Sequence, residues 1–187
     1  PSKVFNSHVV ISSTGEILES YKKIHLFDFA AGGLMESSFT AAGDKAKVVE
    51  CERGVCFGLS TCYDLRFPEL YQVLRSLQAQ VMLVPSAFTM KTGLAHWHIL
   101  CRARAIESQS YVLAATQAGT HNEQRTSFGH ALIVDPWGKI LAEAEDEEST
   151  SGVDAQLLVA DLDLELIQQV RERKQIEHHK RHDVYEQ

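Results

Sequence analysis

The chain has 187 residues, 44% apolar and 23% charged, enough for one domain with a hydrophobic core and the balance of an ordinary soluble globular protein. A formal net charge of −7 gives no electrostatic footprint for nucleic acid or for an anionic membrane surface. No apolar run approaches the roughly 20 residues that span a bilayer, and the first residues lack the pattern of a signal peptide.

Pro1 stands at the start and residues 4–11 already read as a strand, so upstream sequence is expected to have been lost or processed away. Ser13-Thr14-Gly15 is a turn signal and residues 17–21 return as a second strand, which predicts a hairpin. Residues 25–44 form a long loop with Gly32, Gly33 and Gly43, and loops of this length inside a domain often carry function. Residues 48–50 predict a short strand and 54–60 a buried one. Pro68 marks the first position of a helix, with Leu70, Val73, Leu74 and Leu77 spaced as its apolar stripe. Residues 81–84 predict a buried strand stopped by Pro85.

A second helix is predicted over 94–108, with Trp97, Cys101 and Ala105 on one face and Leu100 and Ile106 beside it. Residues 111–116 read as a strand and 119–129 as a polar loop. Strands at 131–134 and 140–142 flank the turn Asp135-Pro136-Trp137-Gly138. Residues 143–152 form an acidic, solvated loop and 156–160 a last strand. Asp163 is placed to N-cap a final helix, with Glu165 in its first turn and Arg171, Arg173 and Lys174 in its last turns. Strands alternating with helices, bracketed by hairpins, predict an α/β layered domain with a mixed sheet.

The four cysteines, Cys51, Cys56, Cys62 and Cys101, form no C-x-x-C pair, which argues against a zinc site or a thioredoxin-like motif. Free thiols in a reducing compartment are the expected state. Cys51, Cys56 and Cys101 read as small buried hydrophobes. Cys62 lies where a buried strand ends and a turn leads into a helix, a place where backbone N–H groups and the positive helix end converge on a side chain. That setting lowers a thiol pKa and offers an oxyanion site, yet position alone leaves Cys62 open between nucleophile and buried residue. Lys22 reads as solvated; Lys23 is open between a solvated strand end and a cation supporting a thiolate or a developing oxyanion. His178 and His182, one helical turn apart with His179 between, have metal-ligand spacing, but their Lys- and Arg-rich surroundings favour a solvated helix end.

Residues 21–28, Tyr-Lys-Lys-Ile-His-Leu-Phe-Asp, resemble the lysine motif of the nitrilase superfamily of carbon–nitrogen hydrolases. Residues 59–71, Leu-Ser-Thr-Cys-Tyr-Asp-Leu-Arg-Phe-Pro-Glu-Leu-Tyr, resemble its cysteine motif. Residues 85–89, 93–97, 102–107, 129–131 and 135–138 match further motifs in the correct order. The resemblance is closest to the Nit branch, the deaminated-glutathione amidases, and covers nearly the whole chain. It implies an α-β-β-α four-layer sandwich over residues 1–187, incomplete at its N-terminus. It further implies a Glu-Lys-Cys site using no cofactor and no metal.

By that resemblance Cys62 attacks an amide carbonyl and forms a thioester, Lys23 and the Tyr63 backbone N–H stabilise the oxyanion, and Glu36 is a buried partner of Lys23. Ser86 and Phe88 would line the pocket. Arg125 would meet a substrate carboxylate, although for Arg125 and Arg66 a structural salt bridge is an equal reading. The family's general-base glutamate lies well upstream of the lysine motif. Glu16 and Glu19, the acids preceding Lys23 here, do not match it. The chain alone is therefore expected to lack about a third of the domain and to be inactive or nearly so. Further expectations are a small-molecule amide substrate, homo-oligomers built through helical faces, a cytoplasmic location with a mitochondrial form not readable here, and a histidine-triad domain fused in some parents. The alternatives are a nitrile or carbamoyl hydrolase with the same triad, or a non-catalytic truncated or fusion product.

Overall fold

The computed structural model describes residues 2–51, 53–144 and 155–185. Strands β1 (Ser7–Ile11) and β2 (Ile17–Lys22) form the expected hairpin. The long loop that follows holds a ribbon of β3 (Asp28–Phe29) with β4 (Leu34–Met35) and two 3-10 turns. The core is built from β5 (Lys47–Glu50), β6 (Cys56–Leu59), helix α1 (Pro68–Ser76), β7 (Val81–Leu83), helix α2 (Met90–Ser108) and β8 (Tyr111–Ala114). Then come the hairpin β9 (Ala118–Asn122) and β10 (Arg125–Phe128), strands β11 (Leu132–Val134) and β12 (Ile140–Glu143), and helices α3 (Leu164–Arg173), α4 (Ile176–His179) and α5 (His182–Tyr185).

One six-stranded mixed sheet, in the order β12-β11-β8-β7-β6-β5, organises the chain. The steps β6–β7 and β7–β8 are parallel and the other three antiparallel. Parallel steps need crossovers, and α1 and α2 supply them. The period-2 alternation of the strands sorts their side chains between two faces. Met82, Val84, Val112, Ala114, Leu132 and Val134 pack with Leu70, Tyr71, Leu74, Trp97, Cys101 and Ala105 of α1 and α2. Val81 and Tyr111 turn the other way and meet Ile167 of α3. Each large side chain so buried contributes roughly 1.5–3 kcal/mol. Gly93 is required within α2, because a Cβ there would run into the Phe128 ring. The mixed α/β architecture agrees with the sequence pattern.

The differences are local. The first strand begins at Ser7, and Val4 only bridges Thr40. In α1 Leu70 and Leu74 are buried as expected, but Val73 and Leu77 are 46% and 45% exposed and Tyr71 takes the inward place. Tyr71 tolerates the core because its hydroxyl meets Ser60 Oγ at 2.9 Å, so the buried stripe is rotated by one residue. Helix α2 starts at Met90 because Thr89 caps it, accepting from the Thr92 N–H. The segment read as a polar loop at 119–129 is the β9–β10 hairpin; neither strand has the apolar alternation that would mark it. Residues 156–160 join no sheet, and Leu157 and Val159 lie exposed. Asp163 caps α3 as expected, accepting from the N–H groups of Glu165 and Leu166. Most of the acidic stretch at 143–152 lies outside the described residues, although Glu143 itself belongs to β12.

Candidate active site

The turn carrying Cys62 hangs from the ends of two parallel strands. Past β6, the Ser60 N–H donates to Leu83 O (3.2 Å) and the Cys62 N–H to Pro85 O (2.9 Å). Cys62 has φ +50°, a left-handed conformation that costs a residue with a Cβ about 1–2 kcal/mol. Its Sγ lies 3.9 Å from Ala87 O, so the segment after β7 passes directly beside the thiol. Residues Cys62–Arg66 form a 3-10 turn that leads into α1.

Asp64, fully buried, ties this turn to the lysine segment. Its Oδ2 accepts from the Tyr21 hydroxyl (2.7 Å) and the Thr61 N–H (2.8 Å). Its Oδ1 accepts from the His25 N–H (3.1 Å) and from His25 Nδ1 (2.7 Å). Four donors on one carboxylate join residues on both sides of Lys23 to the residue preceding Cys62. Burial first, and then the adjacent Asp64 charge, push the Tyr21 hydroxyl far above the usual phenol range.

Lys23 is 4% exposed, and its Nζ donates to Glu36 Oε2 at 2.6 Å. The same oxygen accepts from the Phe27 N–H at 2.7 Å, and Asn6 Nδ2 reaches Oε1 at 3.4 Å. Burial raises the Glu36 carboxyl; the Lys23 and Phe27 hydrogen bonds, with the Lys23 charge, outweigh it and hold the group below its usual range. The sequence-derived pairing of Lys23 with Glu36 is thus present in the geometry.

The remaining residues singled out in the sequence are dispersed around this centre. Tyr63 packs edge-on against Phe27 (5.0 Å) and Phe67 (5.3 Å), and Phe67 stacks on His25 at 3.7 Å. Ser86 bridges to Thr116. Phe88 is a core residue, tilted against Trp97 at 4.9 Å. The Arg66 guanidinium lies 5.6 Å from the Phe88 ring and reaches His96 Nδ1 at 3.3 Å. Arg125 is exposed on β10. Glu19 pairs with Lys47 at 3.2 Å, and Glu16 is exposed on the β1–β2 turn, so neither replaces a base at the thiol. His178 and His179 are exposed at the end of α4. Asp64, Tyr21 and His25 lie inside the quoted motifs, but sequence reasoning assigned them no role.

This arrangement offers a half-buried thiol on a strained turn, a buried ammonium paired with a carboxylate, and a network binding the two. Chemically it suits a nucleophile with electrostatic support for a developing negative charge. Comparisons with known proteins place the chain in a family. The sequence is 45% identical to a deaminated glutathione amidase of Dictyostelium discoideum, over 97% of this chain and 62% of that protein. The crystal structure of the Caenorhabditis elegans NitFhit protein, whose name denotes a nitrilase and fragile histidine triad fusion, superposes with TM-score 0.86 and 43% identity, over 98% of this chain and 43% of that one. A Saccharomyces cerevisiae member of branch 10 of the nitrilase superfamily gives TM-score 0.79 and 34% identity, over 91% of this chain and 58% of that one. The chain therefore spans less than two thirds of the length of these relatives. The sequence profile of the family described as carbon-nitrogen hydrolase matches residues 1–172, and the chain belongs to that family.

Proposed function

We propose that these residues form the cysteine- and lysine-bearing part of an amidase that hydrolyses a small C–N substrate of the deaminated-glutathione type. Cys62 Sγ attacks the amide carbonyl carbon as its proton passes to a general base. The oxyanion is met by the Lys23 ammonium and the Tyr63 N–H. Collapse of the tetrahedral species expels the amine, which takes the proton from the base, and leaves a thioester on Cys62. Water, deprotonated by the same base, then attacks the thioester and releases the acid. Glu36 fixes Lys23 through the 2.6 Å bond from its Nζ. Ser86, Phe88 and Arg125 belong to the surroundings of the substrate in this reading. In this reading the base is the glutamate that the family resemblance places upstream of the lysine motif.

The observation that carries the reading is the strained Cys62 turn joined through Asp64 to Tyr21 and His25, which flank the buried Lys23 and its ion pair with Glu36. The longer protein is expected to assemble as homo-oligomers, consistent with the exposed Leu94 and Ile99 on α2 (72% and 69%), and to work in the reducing cytoplasm, consistent with four free cysteines. No helix among the described residues is long and apolar enough to cross a membrane.

The test is hydrolysis of deaminated glutathione by this chain and by a form extended with its upstream segment. Turnover is expected from the extended form and negligible turnover from the chain alone. Cys62→Ala in the extended form should abolish turnover, by about 10⁴-fold or more, and Lys23→Met should reduce it by about 10²–10³-fold. Equal turnover by both forms, or turnover that survives Cys62→Ala, refutes the proposal.

A further inference from the structure

Away from the Cys62 turn, three side chains converge whose positions lie far apart in sequence. His98 comes from α2, His130 from the corner between β10 and β11, and Glu143 from the end of β12. His98 Nε2 lies 2.7 Å and His130 Nδ1 3.0 Å from the same oxygen, Glu143 Oε1. The three potential ligand atoms all lie within 4.8 Å of one another. A carboxylate can only accept, so in this arrangement each imidazole donates to it.

The rings are held in place by their surroundings. Phe128 stacks on His130 at 4.3 Å and meets His98 edge-on at 6.0 Å. Buried Trp97 donates its indole N–H to His130 O at 2.6 Å. The Ala144 N–H donates to Ala131 O at 2.9 Å, fixing the end of β12 beside the corner. His130 itself has φ +58°, an uncommon conformation for a residue other than glycine. The carboxyl of Glu143 is raised by burial and lowered further by hydrogen bonds from both histidines, so it stays below its usual range.

We infer that His98, His130 and Glu143 form a binding site for a divalent transition-metal ion of the zinc type, with solvent as the fourth ligand. The donor set is two imidazoles and one carboxylate, which such ions take in three-ligand sites that keep an open position. Bonds of about 2.0–2.1 Å in tetrahedral geometry put ligand atoms about 3.3 Å apart. The two His–Glu distances need to open by about 0.3–0.6 Å, the two imidazole nitrogens, within 4.8 Å of each other, to settle at the same spacing, and the histidines to exchange tautomers. The side chains of His98 and Glu143 are 33% and 35% exposed, so an ion has access and a water can complete the shell. Occupancy would tie α2, the β10–β11 corner and β12 into one unit.

The test uses the chelator-washed chain with its accessible thiols alkylated, titrated with Zn²⁺ at neutral pH by calorimetry and by thermal melting. One zinc per chain and a melting temperature that rises with zinc concentration are expected, since an ion that binds only the folded state stabilises it. His98→Ala and Glu143→Gln should each weaken uptake by at least about tenfold. His130→Asn, which tolerates the left-handed backbone, should do the same, while a His178→Ala/His179→Ala variant should bind as the parent does. Imidazole ¹⁵N shifts of His98 and His130 in the unsubstituted protein should move on zinc addition, which decides the matter even if a variant misfolds. No uptake, uptake unchanged by His98→Ala and Glu143→Gln, or unmoved His98 and His130 resonances would overturn the inference.

Discussion

Replacing Asp64 by Asn keeps size and shape but swaps one acceptor oxygen for an NH₂ group, against four donors at 2.7–3.1 Å. With the NH₂ turned toward Oδ2's side, it confronts both the Tyr21 hydroxyl and the Thr61 N–H. Turned toward Oδ1's side, it confronts the His25 N–H, while His25 Nδ1 can exchange tautomer and accept. The second orientation costs less. It still orphans one buried donor, about 1–3 kcal/mol, and reduces the other contacts from charge-assisted to neutral strength, about 1 kcal/mol each. The expected loss is on the order of 3 kcal/mol, a urea midpoint lower by roughly 1–2 M at ordinary m-values. Tyr21→Phe removes one donor and should cost about 1.5 kcal/mol. Because both act on one carboxylate, the double variant should fall short of the sum of the two costs by about 1 kcal/mol. An Asp64→Asn chain within about 0.5 kcal/mol of the parent, or strict additivity with Tyr21→Phe, would refute the view that Asp64 binds the two segments together.

Three further outcomes are expected. The Glu36 carboxyl is lower in the folded protein than in the unfolded chain, so its contribution is present above about pH 4.3 and lost as pH falls through the folded value; Glu36→Gln should flatten the stability profile on the acid side in urea titrations. Cys101 is fully buried and its thiol is pushed far up by that burial, so iodoacetamide should leave it unmodified in the native chain while labelling Cys62, and peptide mapping that finds equal rates would contradict this. Cys62→Gly should be more stable than Cys62→Ala by about 1 kcal/mol, because only the alanine retains the left-handed penalty, a difference read from paired urea melts.

The parts of the fold that were legible in the sequence have local signatures. Pro68 at the start of α1, Asp163 capping α3 and the apolar runs of β6 and β7 each state their role within a few residues. Trp97, Cys101 and Ala105, spaced on one face of α2, are all buried. The β9–β10 hairpin was not legible because its strands, Ala-Gly-Thr-His-Asn and Arg-Thr-Ser-Phe, bury too little to show alternation. The inward turn of Tyr71 depends on a hydroxyl partner, Ser60, that a periodicity argument does not see. Cys62, Lys23 and Glu36 were found through motif resemblance. Asp64 stood in the same motif without a role, because its partners Tyr21 and His25 lie 43 and 39 residues away. The His98–His130–Glu143 cluster had no sequence signature for the same reason: its members meet only once α2 lies across the ends of β11 and β12.

The same tertiary closure explains why Cys62 can keep an unfavourable backbone. A left-handed non-glycine residue persists only where its neighbours leave no alternative. Here its own N–H is held by Pro85 O, Ser60 before it by Leu83 O, and Thr61 and the turn after it by Asp64. Relaxing φ at Cys62 would break at least one of these bonds, each worth about as much as the strain itself. The strain is therefore locked by contacts that exist whether or not a substrate is present. These anchoring groups belong to β7, the segment after it and Asp64, and Asp64 in turn is fixed from the lysine segment. The Cys62 turn and the segment bearing Lys23 are thus joined through one carboxylate, so a change at Asp64 should displace the thiol and the ammonium together rather than either alone.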